Sequence, residues 1–490
     1  MIKNLSGKRA GILYAIIIFF FGGLLFLYLQ AYIVPEGRDS ADYCRLALSF
    51  INGWGGDRVK DGFSLRNYPK WIYGIINPRG YVLPLFILFV DKMTPFTFQD
   101  NWQHWGMEIC SIIAVLFLGG IWGRYFFSYK KDMGYRERII KLIVWVALFF
   151  YFWIDLVAYT LSDIWPPFLV GVVMIVFLEW EKIRHYIVKV IMAFGCGVLL
   201  YAAYNIRSIW MFTVIPITIL LWVKIRASKK DLAIAIPGVL IGALFAALPQ
   251  MLINYYWFGV ASPALMGSYG ESQSLFLESL YKGIFICRYD TCLDRDSYPA
   301  VVMLATKTVG ENILEKENIT RSTLTYSVYI RIVLKHWIEF IQIYLTNFVH
   351  MMTPIFRQIY ITHLDGISLS CVFGSYIMYG VSGLNTMISI LCGNIKKLIS
   401  YKNLFILCYI LPAIIATVGL VEIRYGLSLY LVIFSYFIYS CSFRKIWYFL
   451  KHNKKLSLLY LLAACIIGAM ALSMVFSTLV NGAGYLLLFH

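Results

Sequence analysis

Acidic residues crowd the stretch that follows the first apolar run: Glu36, Asp39, Asp42, Asp57 and Asp61. A carboxylate fixed there could take a proton from an attacking hydroxyl. Asp39-Ser40 also directly precedes an amphipathic helix, so a helix N-cap is the competing reading. Asp163 opens a later apolar run, where it could serve chemistry or simply favour a helix N-terminus. Arg207 and Arg424 each stand in a short turn between apolar runs, Arg424 flanked by Glu422 and Tyr425. A guanidinium can hold a phosphate through two parallel hydrogen bonds. Snorkelling to headgroups, or an Arg424–Glu422 pair, would explain the same arginines without a ligand. Asp155 lies inside an apolar run, where a charge calls for a partner or a polar cavity.

The familiar soluble catalytic signatures are missing. The chain has no P-loop, no H-E-x-x-H, no G-x-S-x-G and no paired C-x-x-C. Asp294-Arg295-Asp296 has the spacing of a nucleotide-sugar metal motif, but three residues are a weak match and a solvated loop explains them better.

What must position these residues is set by composition. Of 490 residues, 60% are hydrophobic and only 14% charged, with a mean hydropathy of +0.72. Soluble domains carry about 45–50% apolar and about 25% charged residues, so the chain is expected to be an all-α polytopic membrane protein. Its 36 Tyr, 35 Phe and 14 Trp suit the aromatic belts at headgroup level. A span needs about 20 apolar residues. Roughly eleven such runs occur: Ile12–Ile33, Trp105–Phe127, Ile139–Tyr159, Ile164–Trp180, Ile187–Tyr204, Ile209–Val223, Leu232–Ile253, Cys371–Cys392, Leu404–Val421, Tyr425–Cys441 and Leu456–Leu479. The first is too long for a signal-peptide core and has no small-residue cleavage site, so it reads as an uncleaved anchor.

The net charge of +17 is a topology signal here, since no nucleic-acid motif or basic aromatic groove accompanies it. Alternate threading puts 24 of the 43 Lys and Arg in six short loops on the N-terminal side. By the positive-inside rule that side, and the N-terminus, is cytoplasmic. Two long segments, 34–104 and 254–370, then lie outside. In the first, Tyr43, Leu46, Ala47, Phe50 and Ile51 have helical spacing. In the second, Arg331, Lys335, Glu339, Gln342, Thr346 and His350 recur every three or four residues among apolar ones, as in a helix lying along the interface. Both segments are expected to form a cap on the outer face. Cys287 and Cys292 fall in the second, where an oxidising compartment would allow a disulfide; spacing alone leaves its geometry open.

Several stretches, in order, resemble the GT-C superfamily of polytopic membrane glycosyltransferases, the group that includes protein mannosyltransferases and aminoarabinose transferases. Asp39-Ser40-Ala41-Asp42-Tyr43-Cys44-Arg45-Leu46-Ala47 is similar to the D-S-x-x-Y-x-x-L-A stretch after their first span. Asn77-Pro78-Arg79-Gly80-Tyr81-Val82-Leu83-Pro84 resembles their R-P-P-x-Y-P segment, with Arg79-Gly80 in place of the second proline and following residue. Pro249 to Pro263, with Asn254, Gly259 and Ser262, looks like the exit from a mid-chain span into their second outer loop. Glu422-Ile423-Arg424-Tyr425 resembles their late E-x-R-Y turn.

The resemblance implies a catalytic transmembrane module over residues 1–370 and C-terminal transmembrane helices over 371–490, in a bacterial plasma membrane. It implies inverting transfer of a sugar from a polyprenyl-phosphate donor to a glycan, lipid or protein acceptor on the extracytoplasmic face. Asp39 would be the base, with Asp42 the second choice because the usual acidic pair is split. Arg207, Arg424 and Tyr425 would hold the donor phosphate, and Asp163 would orient the acceptor or the cap. A monophosphate held by arginines needs no metal, and no cofactor is expected. A lipid-linked oligosaccharide polymerase or ligase would share these features. A flippase would place polar groups near the midplane and often shows inverted repeats; here mid-span charge is scarce apart from Asp155, and no repeat is evident.

Overall fold

The structure, a computed structural model, describes residues 80–93, 105–127, 156–226, 228–265, 275–292, 300–305, 308–354, 360–361, 369–391, 400–481 and 485–488, with isolated positions between 20 and 47 and between 137 and 144. Asp39, Asp42, Asp155 and the Asp294-Arg295-Asp296 stretch lie outside them, as do most of the runs Ile12–Ile33 and Ile139–Tyr159.

The first half is a helical bundle: α1 (Val82–Met93), α2 (Trp105–Phe126), α3 (Trp165–Leu178), α4 (Tyr186–Ile206), α5 (Met211–Ile225) and α6 (Lys229–Phe258). Then come α7 (Leu275–Phe285), β1 (Ile286–Cys292), β2 (Ala300–Ala305), α8 (Thr308–Lys316), α9 (Tyr326–Lys335), α10 (Trp337–Met351) and β3 (Tyr360–Ile361). The chain closes with α11 (Leu369–Leu391), α12 (Tyr401–Ala416), α13 (Leu427–Tyr439), α14 (Phe443–His452), α15 (Lys454–Asn481) and β4 (Tyr485–Leu488).

Among the described residues five helices are long and apolar enough to cross a membrane: Trp105–Phe126, Tyr186–Ile206, Ser208–Ile225, Lys229–Tyr255 and Lys454–Val475. A sixth span arises if the bent pair α13 and α14 counts as one. The chain is a multi-pass helical membrane protein. The expected run Ile164–Trp180 forms only the 14-residue α3, and Leu404–Val421 the 16-residue α12. Pro166 and Pro167 start α3, where a missing N–H costs nothing.

Tight packing in the bundle depends on small residues. A Cβ on Gly197 of α4 would meet the Val239 carbonyl at 2.0 Å, and one on Gly242 of α6 the Phe194 carbonyl at 2.0 Å. Backbone contact of this kind is how small residues bring membrane helices together. The main core, with Trp122, Met174, Phe177, Leu221, Phe405 and Tyr409 fully buried, lies where α2, α3, α5, α12 and α13 meet.

The 254–370 segment departs from the all-helical expectation. It supplies three strands of a four-stranded sheet of order β3-β1-β2-β4, in which β1/β2 and β2/β4 are antiparallel and β1/β3 parallel. The Val301–Leu304 stretch is apolar and β-branched at its start, which suits a strand. Cys287 and Cys292 fall on one strand five residues apart, about 16 Å by strand rise. That span is too long for a disulfide between them. The periodic stretch 331–350 is two helices, α9 and α10, broken at His336. Glu317 holds both sides of the break, accepting from Lys335 Nζ at 2.7 Å and pairing with His336 Nε2 at 2.9 Å. These helices share a small core of their own, with Leu280, Ile284, Ile313, Ile332, Phe340 and Ile343 buried.

Candidate functional site

Asp163, Arg207 and Arg424 come from three turns far apart in sequence and meet at one end of the bundle. Asp163 sits just before α3, in the turn 159–164. The cap position of α3 is Ile164, with no side-chain cap bond. The Asp163 carboxylate faces the arginines instead, its side chain fully buried. Oδ1 accepts a hydrogen bond from Arg207 Nη1. Oδ2 lies 3.5 Å from Arg424 Nη1.

Arg207 ends α4 in an extended conformation (φ −146°, ψ 111°). Its side chain keeps 19% exposure. It lies over the Tyr425 ring, 5.0 Å from the centroid, a cation–π contact. Arg424 belongs to the one-turn 3-10 helix Ile423–Gly426, and its Nε donates to Glu422 Oε2 at 2.7 Å. Two arginines and two carboxylates thus balance, with Glu422 only 1% exposed. Balance is required, because an unpaired charge at that depth would cost several kcal/mol.

Four of the six residues singled out in the sequence, Asp163, Arg207, Arg424 and Tyr425, therefore form one cluster. The other two, Asp39 and Asp42, lie outside the described residues, but their neighbours do not. Tyr43, Cys44, Leu46 and Ala47 are helical and buried, as the amphipathic spacing predicts. Cys44 hydrogen-bonds to Thr160, three residues before Asp163, and burial pushes its thiol up to about 12. Tyr43 lies within electrostatic reach of Arg207.

Sequence reading missed a relay of buried amides beside Arg207. Asn205 Oδ1 accepts from the Val82 N–H at 3.0 Å, and its Nδ2 donates to Gln250 Oε1 at 3.1 Å. Gln250 Nε2 donates to Asn254 Oδ1 at 3.1 Å, and Asn254 Nδ2 to the carbonyls of Ser262 (2.7 Å) and Ala264 (2.8 Å). All three amides are fully buried. The relay joins the stretch from Gly80 to Pro84 and the segment Pro249–Pro263 to the end of α4. Gly80 completes the join: its φ is +66°, and a Cβ there would meet the Asn205 carbonyl at 2.1 Å. Only glycine suits that backbone and that approach.

A second ion pair stands nearby on β1. Arg288 and Asp290 are buried and bidentate, at 2.6 and 3.0 Å. Arg288 Nη1 also donates to the carbonyls of His350 (3.3 Å) and Thr353 (2.7 Å) at the end of α10. Burial pushes the Asp290 carboxyl up, against the pull of Arg288 and, more weakly, of Arg424. The sheet is thereby pinned against the helix end that faces the Arg424 turn.

On the bundle's lipid-facing side, an apolar groove of about 500 Å³ runs between α4, α5 and α6. Tyr201, Tyr204, Met211 and Ile215 line one part of it, Leu240 and Leu244 another. Tyr204 and Met211 flank Arg207 in the chain, three residues before and four after. Compared with protein families, curated proteins and solved structures, the chain finds no match.

Proposed function

We propose that the protein is a membrane glycosyltransferase that moves a sugar from a polyprenyl-phosphate donor to a hydroxyl of a cell-surface glycan, lipid or protein. The observation that carries this reading is the Asp163–Arg207–Arg424 cluster, in which Arg207 stands in the chain between Tyr204 and Met211, two residues that line an apolar groove. A polyprenyl phosphate has those two parts, a long apolar chain and an anionic head. Arg207, partly exposed and stacked on Tyr425, would meet the phosphate first; Arg424, held by Glu422, would back it.

In the reaction, an acceptor oxygen attacks the anomeric carbon and a carboxylate takes its proton. The bond from that carbon to the phosphate oxygen breaks with inversion, and polyprenyl phosphate leaves. Asp39 would be the base, or else Asp42. Asp163, engaged with both arginines, would position them. General-base help is worth about 10²–10⁴-fold; the remainder would come from holding the phosphate charge in a water-poor site. The extracytoplasmic side suits this chemistry because a lipid-linked donor reaches it where nucleotide sugars do not.

Incubation of the purified protein with a panel of polyprenyl-phosphate sugars tests the proposal. Release of free polyprenyl phosphate with one donor is the expected result. No turnover of any donor in the presence of envelope extract as acceptor source would contradict it.

A further inference from the structure

α14 (Phe443–His452) carries an interaction surface that sugar transfer does not use. It follows α13 after a 78° bend. If α13 crosses the bilayer with the usual tilt of about 20°, α14 runs close to the membrane plane. It lies at the opposite end of α13 from Arg424. One face is anchored: Ile446 is buried against α11, with Phe449 and Leu450 beside it.

Another face is exposed and has a distinct composition. Arg444, Trp447 and Lys451 fall at i, i+3 and i+7, one stripe of a helix. All three are exposed, Trp447 at 71%. Tyr448 adjoins them, 64% exposed and stacked on His452 at 4.0 Å. Lys454 and Lys455 follow at the start of α15, also exposed. From Ile423 to the last residue the chain contains no Asp or Glu. A carboxylate from elsewhere, Glu137, accepts the Phe443 N–H at 2.6 Å at the helix start and lies 3.8 Å from Lys141. That leaves Lys451, Lys454 and Lys455 at the other end of the stripe.

We infer that this face binds the headgroups of anionic phospholipids in the leaflet opposite the arginine cluster. The basic side chains would take the phosphates, and Trp447 and Tyr448 would sit at the acyl–headgroup boundary, where amphipathic rings concentrate. Charge complementarity favours this occupant, because juxtamembrane basic residues gain from a negative leaflet. The fixed bend also holds the stripe at headgroup depth.

The test is a titration of the purified full chain, in detergent, with short-chain phosphatidylglycerol. Short-chain phosphatidylcholine and glycerol phosphate are run in parallel, and thermal stability is the readout. Phosphatidylglycerol should raise the unfolding temperature saturably and phosphatidylcholine should not, with the effect weakening in high salt. R444Q/K451Q should bind phosphatidylglycerol about 30-fold more weakly, the equivalent of about 2 kcal/mol for two basic side chains. K229Q/K230Q, at another basic helix end, should bind as wild type does. Equal response to both lipids would overturn the inference, as would a full response to glycerol phosphate or unchanged binding by R444Q/K451Q. Binding of a DNA duplex or an acidic peptide in preference to phosphatidylglycerol would overturn it too.

Discussion

Asp163 has no exposed side-chain surface and two arginines within reach. Its removal leaves two cations facing each other, so Asp163→Asn should cost about 3–5 kcal/mol, as when one partner of a buried pair is lost. Arg207→Gln in the same chain removes one of those cations. The double variant should therefore be less destabilised than the two single effects combined, and a thermal double-mutant cycle measures that coupling. Additivity would mean that the Asp163–Arg207 contact carries no energy of its own. The choice of base is a separate matter. Asp39→Asn retains a capping oxygen and loses basicity, so the protein should fold while transfer falls by about 10²–10⁴-fold. Asp42→Asn in parallel decides between the two, and full activity in both would leave the capping role alone. The charged residues of this site were legible because a charge at the end of an apolar run is conspicuous. Asn205 and Gln250 were not: a lone amide in an apolar run looks like a tolerated polar residue until its partner on another helix is known.

Helices were legible where hydropathy alone decides them. Expected runs such as Ile187–Tyr204 and Leu232–Ile253 match α4 and α6 to within a few residues at each end. Elements of the 254–370 segment depend on partners distant in sequence and were less so. The 331–350 stretch keeps an unbroken helical period, and its break at His336 is held by Glu317, nineteen residues earlier. Strand β2 is completed by β4 at the far end of the chain, which no local pattern announces. The Glu317 clamp has a pH signature. Hydrogen bonds from Lys335, then His336, hold its carboxyl down at about 2, below the ordinary 4.5. A depressed carboxylate contributes its stability in full above pH 4.5, and loses it as pH falls from there through about 2. Hydrogen exchange over α9 and α10 should therefore speed up across that interval, and Glu317→Gln should flatten the dependence. A wild-type profile identical to that of Glu317→Gln would show that the clamp does not hold the break.

The whole molecule has two chemically different ends. At one, lysines bind helix ends: Lys224 Nζ donates to the carbonyls of Phe177 (2.8 Å) and Leu178 (2.7 Å), and Lys402 Nζ to that of Tyr125 (3.1 Å). Lys189 pairs with Asp231 at 2.6 Å there. Cations at helix C-termini are favoured by the dipole as well as by the free carbonyls. At the other end stand the arginine–carboxylate cluster, the amide relay and the sheet. The threading expected from loop charges separates the same residues. It predicts that a cysteine replacing Ser297 is labelled by an impermeant reagent from outside the cell and one replacing Lys229 is not; outside labelling of the 229 position would reverse the orientation.

On the proposed function the two arginines hold the phosphate of a lipid-linked donor, and the affinity of polyprenyl phosphate for wild type and for Arg424→Lys distinguishes that role from snorkelling. An ammonium cannot reproduce the planar fork that binds Glu422 and faces Asp163. The account predicts that Arg424→Lys folds, binds the lipid phosphate about ten-fold or more weakly, in line with a lost charged hydrogen bond of about 1.5–3 kcal/mol, and leaves acceptor binding nearly unchanged. Headgroup snorkelling predicts no difference, since lysine snorkels as well as arginine. Undiminished affinity in Arg424→Lys would contradict the account.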